Sequence, residues 1–329
     1  MKPKLLVIEL WGLGDLMIAT PFLRAAAERF TVTLLAKPYA TDLGRRFWPS
    51  VRVVPFSAPW TAFQHKYQLW RWPWAAIWRV RRTLRRERFD CGLSARWDPR
   101  DHFLLRVFGA RRRFGFPRMR SQMFLDHPLL RPPPAAHRYE SWRFLARELG
   151  FELPPVEKLA LPHARNQGEV LVHTGAGQAV RVWPLPRVHG LVATLRASGY
   201  RVRVACDPDQ HGYWLALGEL DVIVARSVDQ LADLIDRADA FVGNDSGPGH
   251  LAAFSGVPTF TVFGPQLPEW FGPLHPASEW TEGKPCPFKP CSDYCRFPEP
   301  RCMTESSEAE VTGRVIAFLR RVMGAGVRT

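Results

Sequence analysis

Apolar and polar positions fall into two alternating series. LLVIEL (5–10) is an apolar run, with Glu9 its one charged residue, that ends at WGLGD, after which Leu16, Ala19, Leu23, Ala26, Ala27 and Phe30 recur at helical spacing. That reads as strand, glycine turn, helix. TVTLLA (31–36), VRVVPF (51–56), FDCGLSA (89–95) and RRRFGF (111–116) read as later strands, with helical stretches near 69–88, 100–109 and 138–149. DHPLLRPPPAAH (126–137) holds too much proline for a regular element.

The second series opens with EVLVHT (169–174) and a helix over about 186–198. YRVRVAC (200–206), a helix near 208–217, DVIVA (221–225), a helix at 228–238, AFVG (240–243) and TFTVFG (259–264) follow. Apolar runs alternating with helices imply parallel sheets covered on both faces, because parallel strands need crossover connections. The expected fold class is α/β, two doubly wound Rossmann-like domains facing across a cleft, with domains at 1–160 and 161–329 and a hinge within 150–168. A last helix, about 307–323, is expected to fold back across the hinge.

Composition narrows the partners. The chain has 329 residues, 46% of them hydrophobic, enough for two cores, and a formal net charge of +14 that favours anionic ligands. MKPKLLVIELWGLGD passes straight from an apolar strand into a glycine turn, without a charged and apolar leader, and no apolar stretch approaches a membrane span. The expectation is a soluble cytoplasmic protein whose six cysteines are reduced or metal-bound.

In FVGNDSGPGHLAAFSGVPTFTVFGP (241–265), Asp245, Ser246, Gly247, Gly249 and His250 crowd one strand-to-helix turn. Ligands of parallel sheets bind beyond the carboxyl ends of strands, where a helix start offers N–H groups and a positive dipole end. Small residues there suit a diphosphate. Asp245 repels phosphate and suits sugar hydroxyls instead. The plainer reading is a helix cap and a tight turn. HTGAGQAVRVWPLPR (173–187) supplies a second small-residue turn at Thr174, Gly175, Ala176 and Gly177, with Arg181 close enough in sequence to reach a phosphate. In WGLGD, Gly12 and Gly14 permit a close turn and Asp15 stands at a helix start, where it is either a cap or a base for a hydroxyl proton. The third glycine and acidic residue of a dinucleotide fingerprint are missing, so a nicotinamide reading is rejected.

Together, GLGDLMIATPFLRAA, HTGAG followed by RVWP, and GNDSGPGHLAAFSGVPTFTVFGP closely resemble glycosyltransferase family 9, the ADP-heptose:lipopolysaccharide heptosyltransferases. The resemblance implies a GT-B fold, an N-terminal domain that binds the acceptor, a C-terminal domain that binds ADP-heptose, and inversion at the anomeric carbon with no cofactor required for catalysis. By position it implies Asp15 as general base, Asp245 as the residue holding the donor sugar, and Ser246, Gly247 and His250 as the diphosphate turn. Thr174, Gly175 and Gly249 are expected beside the donor. Arg181 stands where the family usually has Lys, and Val182 replaces a usual Arg, removing one cation. Asp207 and Asp209 are candidates for the ribose contact.

On the acceptor side, Gly12 and Gly14 are joined by Arg111, Arg113, Arg118 and Arg120, and QLWRWPWAAIWRVRRTLRRERF (68–89) places Trp70, Trp74 and Trp78 at four-residue spacing beside seven arginines. The segment fits contact with an anionic lipopolysaccharide core or the inner membrane surface; the bland alternative is a helix with its Trp side packed and its Arg side solvated. Cys286, Cys291, Cys295 and Cys302, spaced C-x4-C-x3-C-x6-C, raise a structural zinc or iron centre, with free thiols or disulfides as alternatives. Cys91 and Cys206 read as core. Other readings are a transferase using a different nucleotide sugar or a non-lipopolysaccharide acceptor, a degenerate transferase, and a basic nucleic-acid-binding module. The last lacks a groove-reading motif, so nucleic acid is not an expected partner.

Overall fold

Apolar runs with no polar face can be satisfied on both sides only inside a sheet covered by helices on both faces, and both series fold in that way. The computed structural model describes residues 2–61, 68–159, 161, 168–291 and 294–324, and its chain divides into two units, through Leu153 and from Pro154. Part of the expected hinge, at 160 and 162–167, lies outside the described residues.

The first unit is built on β1 (Lys4–Glu9), β2 (Thr31–Ala36), β3 (Arg52–Pro55), β4 (Cys91–Leu93), β5 (Arg112–Gly115) and β6 (His127–Pro128). They form one sheet in the order β3-β2-β1-β4-β5-β6, every pairing parallel. The chain moves outward from β1 to β3, then returns to the other side of β1 with β4. The carboxyl ends of β1 and β4 therefore form a topological switch point.

In the second unit β7 (Glu169–His173), β8 (Arg201–Ala205), β9 (Ala240–Asn244), β10 (Thr259–Phe263) and β11 (Glu279–Glu282) lie in the order β11-β10-β9-β7-β8, again all parallel. Its switch point falls between β7 and β9, the strands that precede HTGAG and NDSG. The terminal helix Glu308–Met323, capped where Glu310 N–H donates to Ser307 Oγ at 3.3 Å, buries Val311, Val315, Phe318 and Leu319 in this unit's own core. Phe318 sits against Phe260 of β10, ring centroids 5.6 Å apart.

Several expectations change. DVIVA is not a strand: only Ile223 bridges to Ala205, at the sheet edge beside β8. The stretch 208–217 begins with a 3-10 turn, Pro208–Gln210, before the helix His211–Ala216. The proline-rich 126–137 stretch yields the two-residue β6, where Pro128 is tolerated because the strand is an edge. The helix expected over 69–88 starts only after Pro73, as Trp74–Glu87, and its packed side is not its Trp side. Leu84 is buried and Ile77 and Val80 lean on the core, whereas Trp70, Trp74 and Trp78 are 78%, 47% and 59% exposed. Arg81 lies over the Trp78 ring at 4.9 Å. No helix among the described residues is long and apolar enough to cross a membrane.

Candidate functional site

Two groups of polar side chains stand at the two switch points. In the first unit β1 runs out at Glu9, and the chain turns through Trp11 and Gly12 into the short helix Leu13–Ile18. Gly12 caps that helix with φ −78° and ψ 164°, and neither Gly12 nor Gly14 has positive φ. Their value is small size rather than backbone freedom. Asp15 occupies the third helical position, and its Oδ2 accepts the Gly12 N–H at 3.3 Å. The capping role is therefore real, and it holds the carboxylate at the turn.

The same carboxylate is gripped by a residue the sequence did not single out. Arg96, just past β4, reaches Asp15 with Nη1 to Oδ1 at 3.1 Å and Nη2 to Oδ2 at 3.3 Å. Such two-point guanidinium–carboxylate pairing fixes orientation as well as charge. Arg96 also lies 4.8 Å above the Trp11 ring, with Arg100 at 5.8 Å over the same ring, while Arg131 and Arg138 each lie 4.7 Å from Trp97. Two indoles thus carry four guanidinium groups beside the turn. The signal lay in SARWDPRD, which follows the strand next to β1, but only the sheet order brings it to Asp15.

Beneath Asp15 the acids are buried. Burial pushes the Glu9 carboxyl up to about 8, with Asp15 adding to the rise and Arg96 opposing it. Its Oε1 accepts the Trp11 N–H at 3.2 Å. Burial, then Asp98, raises Asp101 to about 7, and Ser94 Oγ donates to it at 3.1 Å. Burial also draws the Lys37 ammonium down, against the pull of Asp15 and Glu9.

The arginines expected on the acceptor side divide. Register pairs Arg112 with Cys91 and Cys91 with Leu5, so the exposed Arg111 lies at the amino ends of the strands, the opposite edge from Asp15. Arg113 is tied to Asp126 at 2.9 Å. Arg118 and Arg120 follow the carboxyl end of β5, on the edge where Asp15 stands. The geometry gathers Arg96, Arg100, Arg131 and Arg138 near the tryptophans that flank this turn.

The second group forms where β7 and β9 diverge. Arg181 ends a 3-10 turn, Ala179–Arg181, and its Nη1 stands 3.4 Å from Oδ2 of Asp245, a carboxylate only 4% exposed. Ser246 caps the helix Gly247–Phe254 without a side-chain bond to it; its hydroxyl donates to Asn244 O at 3.2 Å. Gly249 and the buried His250 lie in that helix. Thr174 Oγ1 donates to Gln210 Oε1 at 2.6 Å. A Cβ on Gly175 would run into the Asp207 carboxylate, which makes this glycine a matter of space. Burial lowers the pKa of His173, the last residue of β7. Behind the turn, Trp183 Nε1 donates to Ser306 Oγ at 2.8 Å, and Arg187 donates to the carbonyls of Ser306 and Thr304, both at 2.6 Å.

The expected zinc or iron centre is not assembled. Cys286, Cys291, Cys295 and Cys302 line one small cavity, yet among the described residues no group of three or more His, Cys, Asp or Glu is placed to hold a metal. Lys289, paired with Glu282 at 2.6 Å, and Arg301 line the same cavity. Cys291 Sγ donates to Phe288 O at 3.2 Å, and burial pushes the Cys291 and Cys302 thiols up. All six cysteines are free thiols.

The sequence pattern of glycosyltransferase family 9 (heptosyltransferase) matches residues 77–295. Lipopolysaccharide heptosyltransferase 3 from Escherichia coli is 29% identical over 142 residues, 40% of this chain and 37% of that relative, so the match spans little more than a third of the relative's length. Among solved structures, E. coli heptosyltransferase WaaC with ADP superimposes with a TM-score of 0.73 at 18% identity, covering 96% of this chain and 99% of the other. A glycosyltransferase family 9 protein from Veillonella parvula gives 0.75 at 15% identity, covering 98% of each chain. The iron-containing dodecameric glycosyltransferase TibC from enterotoxigenic E. coli gives 0.58 at 16%, covering 98% of this chain and 78% of that one. At these identities the likeness is one of fold, and it bears out the expected pair of doubly wound domains.

Proposed function

The chain belongs to glycosyltransferase family 9, and from that premise we propose that it transfers heptose from ADP-heptose to a saccharide hydroxyl of the lipopolysaccharide inner core, with inversion at the anomeric carbon. The observation that carries this reading is Arg181, 3.4 Å from the buried Asp245 and close in sequence to a small-residue turn. A cation beside a sugar-holding carboxylate is what departure of a diphosphate calls for. Solved structures of the same fold were obtained with ADP and with ADP-2-deoxy-2-fluoro heptose.

In the proposed reaction Asp15 takes the proton of the acceptor hydroxyl, the acceptor oxygen bonds to the anomeric carbon, and the bond from that carbon to the diphosphate breaks. The electron pair leaves with ADP. Arg181 and the amino end of helix Gly247–Phe254 stabilise the charge that develops there. Asp245 holds donor hydroxyls, Thr174, Gly175, Ser246 and Gly247 line the diphosphate, and no resident cofactor takes part. The first unit takes the acceptor, with Gly12 and Gly14 at the turn and Arg118 and Arg120 on the same sheet edge. The exposed Trp70, Trp74 and Trp78 with their arginines rest on the inner face of the cytoplasmic membrane.

A second reading is another nucleotide sugar, since phosphate turns do not read the base. The deciding test is a thermal-shift panel with ADP, UDP, GDP, CDP and dTDP. A ligand at 100 times its Kd adds about 2.7 kcal/mol, a few degrees at this size. A shift with ADP alone supports the ADP-heptose donor; a shift with another nucleotide moves the donor to a different sugar.

A further inference from the structure

In a trans peptide the carbonyl and the amide hydrogen of one plane point in opposite directions. This matters at the turn after β7, because one buried side chain bonds two of its successive carbonyls. Asn244, the last residue of β9, donates from Nδ2 to Thr174 O at 2.9 Å and to Gly175 O at 3.4 Å. Gln210 Nε2 adds a second donor to Thr174 O at 3.3 Å. With both carbonyls drawn toward Asn244, the hydrogens of the same two planes, Gly175 N–H and Ala176 N–H, face away from it side by side. Consecutive amides turned to one side form a concave anion site.

The other end of the same side chain reaches the loop that carries the cation. Asn244 Oδ1 accepts the Trp183 N–H at 3.0 Å, two residues beyond Arg181. One amide group therefore sets both the direction of the N–H pair and the anchorage of Arg181. The charges near the turn differ. Asp207 rests on Gly175 Cα and suits hydroxyls, whereas Arg181 suits phosphate.

We infer that Asn244 is the positioning residue of a diphosphate subsite: it touches no ligand, and it aims Gly175 N–H, Ala176 N–H and the Arg181 loop at one anion. The inference rests on the donor reading above. Aspartate is nearly isosteric, yet it replaces Nδ2 with an oxygen facing two carbonyl oxygens while keeping the acceptor for Trp183.

The test begins with the full wild-type chain, labelled with 15N-glycine and 15N-alanine and titrated with whichever of ADP, UDP, GDP, CDP and dTDP binds. At saturation the amide protons of Gly175 and Ala176 move downfield. Calorimetry on Asn244→Ala and Asn244→Asp then shows nucleotide affinity weakened at least about tenfold, roughly 1.4 kcal/mol, in protein that still melts cooperatively. Unmoved Gly175 and Ala176 signals at saturation overturn the inference and leave the donor reading intact. So does a folded variant that binds as wild type does. If no nucleoside diphosphate binds the wild-type chain, the donor reading itself fails and the inference falls with it. The wild-type titration decides the matter even where a variant does not fold.

Discussion

Arg96 holds both carboxylate oxygens of Asp15, at 3.1 and 3.3 Å, from a position 81 residues further along the chain. The pair joins the loops after two adjacent strands, β1 and β4, so the sheet itself fixes its geometry. Each carboxylate oxygen has about two lone-pair sites, and the pairing leaves capacity on Asp15 to accept a further proton.

Asp15→Asn keeps the Gly12 contact and removes the proton acceptor. We expect turnover to fall by about 10²–10⁴-fold, the usual worth of a general base, with ADP affinity unchanged in calorimetry. Near-normal turnover would remove Asp15 from the base role.

Arg96→Ala leaves a half-buried carboxylate without its partner. Stability should drop by about 1–3 kcal/mol, read from the urea midpoint, and the double variant Asp15→Asn with Arg96→Ala should lose less than the sum of the single losses. Additive losses would show that the two side chains do not interact in solution.

Glu9 gives stability a pH slope. Its folded pKa, about 8, lies above the unfolded value of 4.5. The folded state therefore keeps a proton that the unfolded state loses, and the stability from neutral Glu9, complete below pH 4.5, is lost as pH rises toward about 8. Glu9→Gln should flatten melting temperature against pH over this window. An unchanged slope would place the titration elsewhere.

Arg181→Ala should cost about 2.7–4 kcal/mol of transition-state stabilisation, seen as a fall in kcat, and Arg181→Lys should recover part of it. Equal loss in both variants would point to packing of the loop rather than to charge.

The exposed Trp74 and Trp78 should carry membrane contact. Substituting both by Ala is expected to reduce co-sedimentation with vesicles rich in anionic lipid, and salt should weaken what remains. Binding to neutral vesicles as strong as to anionic ones would exclude the arginine contribution.

What the sequence made legible follows from where the signals lie. β1 and β2 are buried along most of their length, so each is predominantly apolar and shows in the sequence as a strand. DVIVA is as apolar, yet only Ile223 makes a bridge there, to Ala205. EWTE in β11 escaped notice because a short polar edge strand has no apolar run at all. The candidate residues at turns, Asp15, Thr174, Arg181 and Asp245, were visible because small residues after apolar runs mark strand ends. Arg96 and Asn244 were not, since their partners lie 81 and 61–70 positions away and only the switch points bring them together.

The bond from Trp183 to Ser306 spans 123 positions, and it gives the molecule an order of completion. Synthesis proceeds from the amino end, so the Arg181 loop leaves the ribosome long before the segment that moors it. A nascent chain holding every residue of the first sheet and the glycine turns of the second has the Asn244 anchor of this loop but not its Ser306 mooring. A chain cut short near residue 300 lacks both this mooring and the Val311, Val315, Phe318 and Leu319 face that completes the second core, so its second unit should neither fold fully nor bind nucleotide.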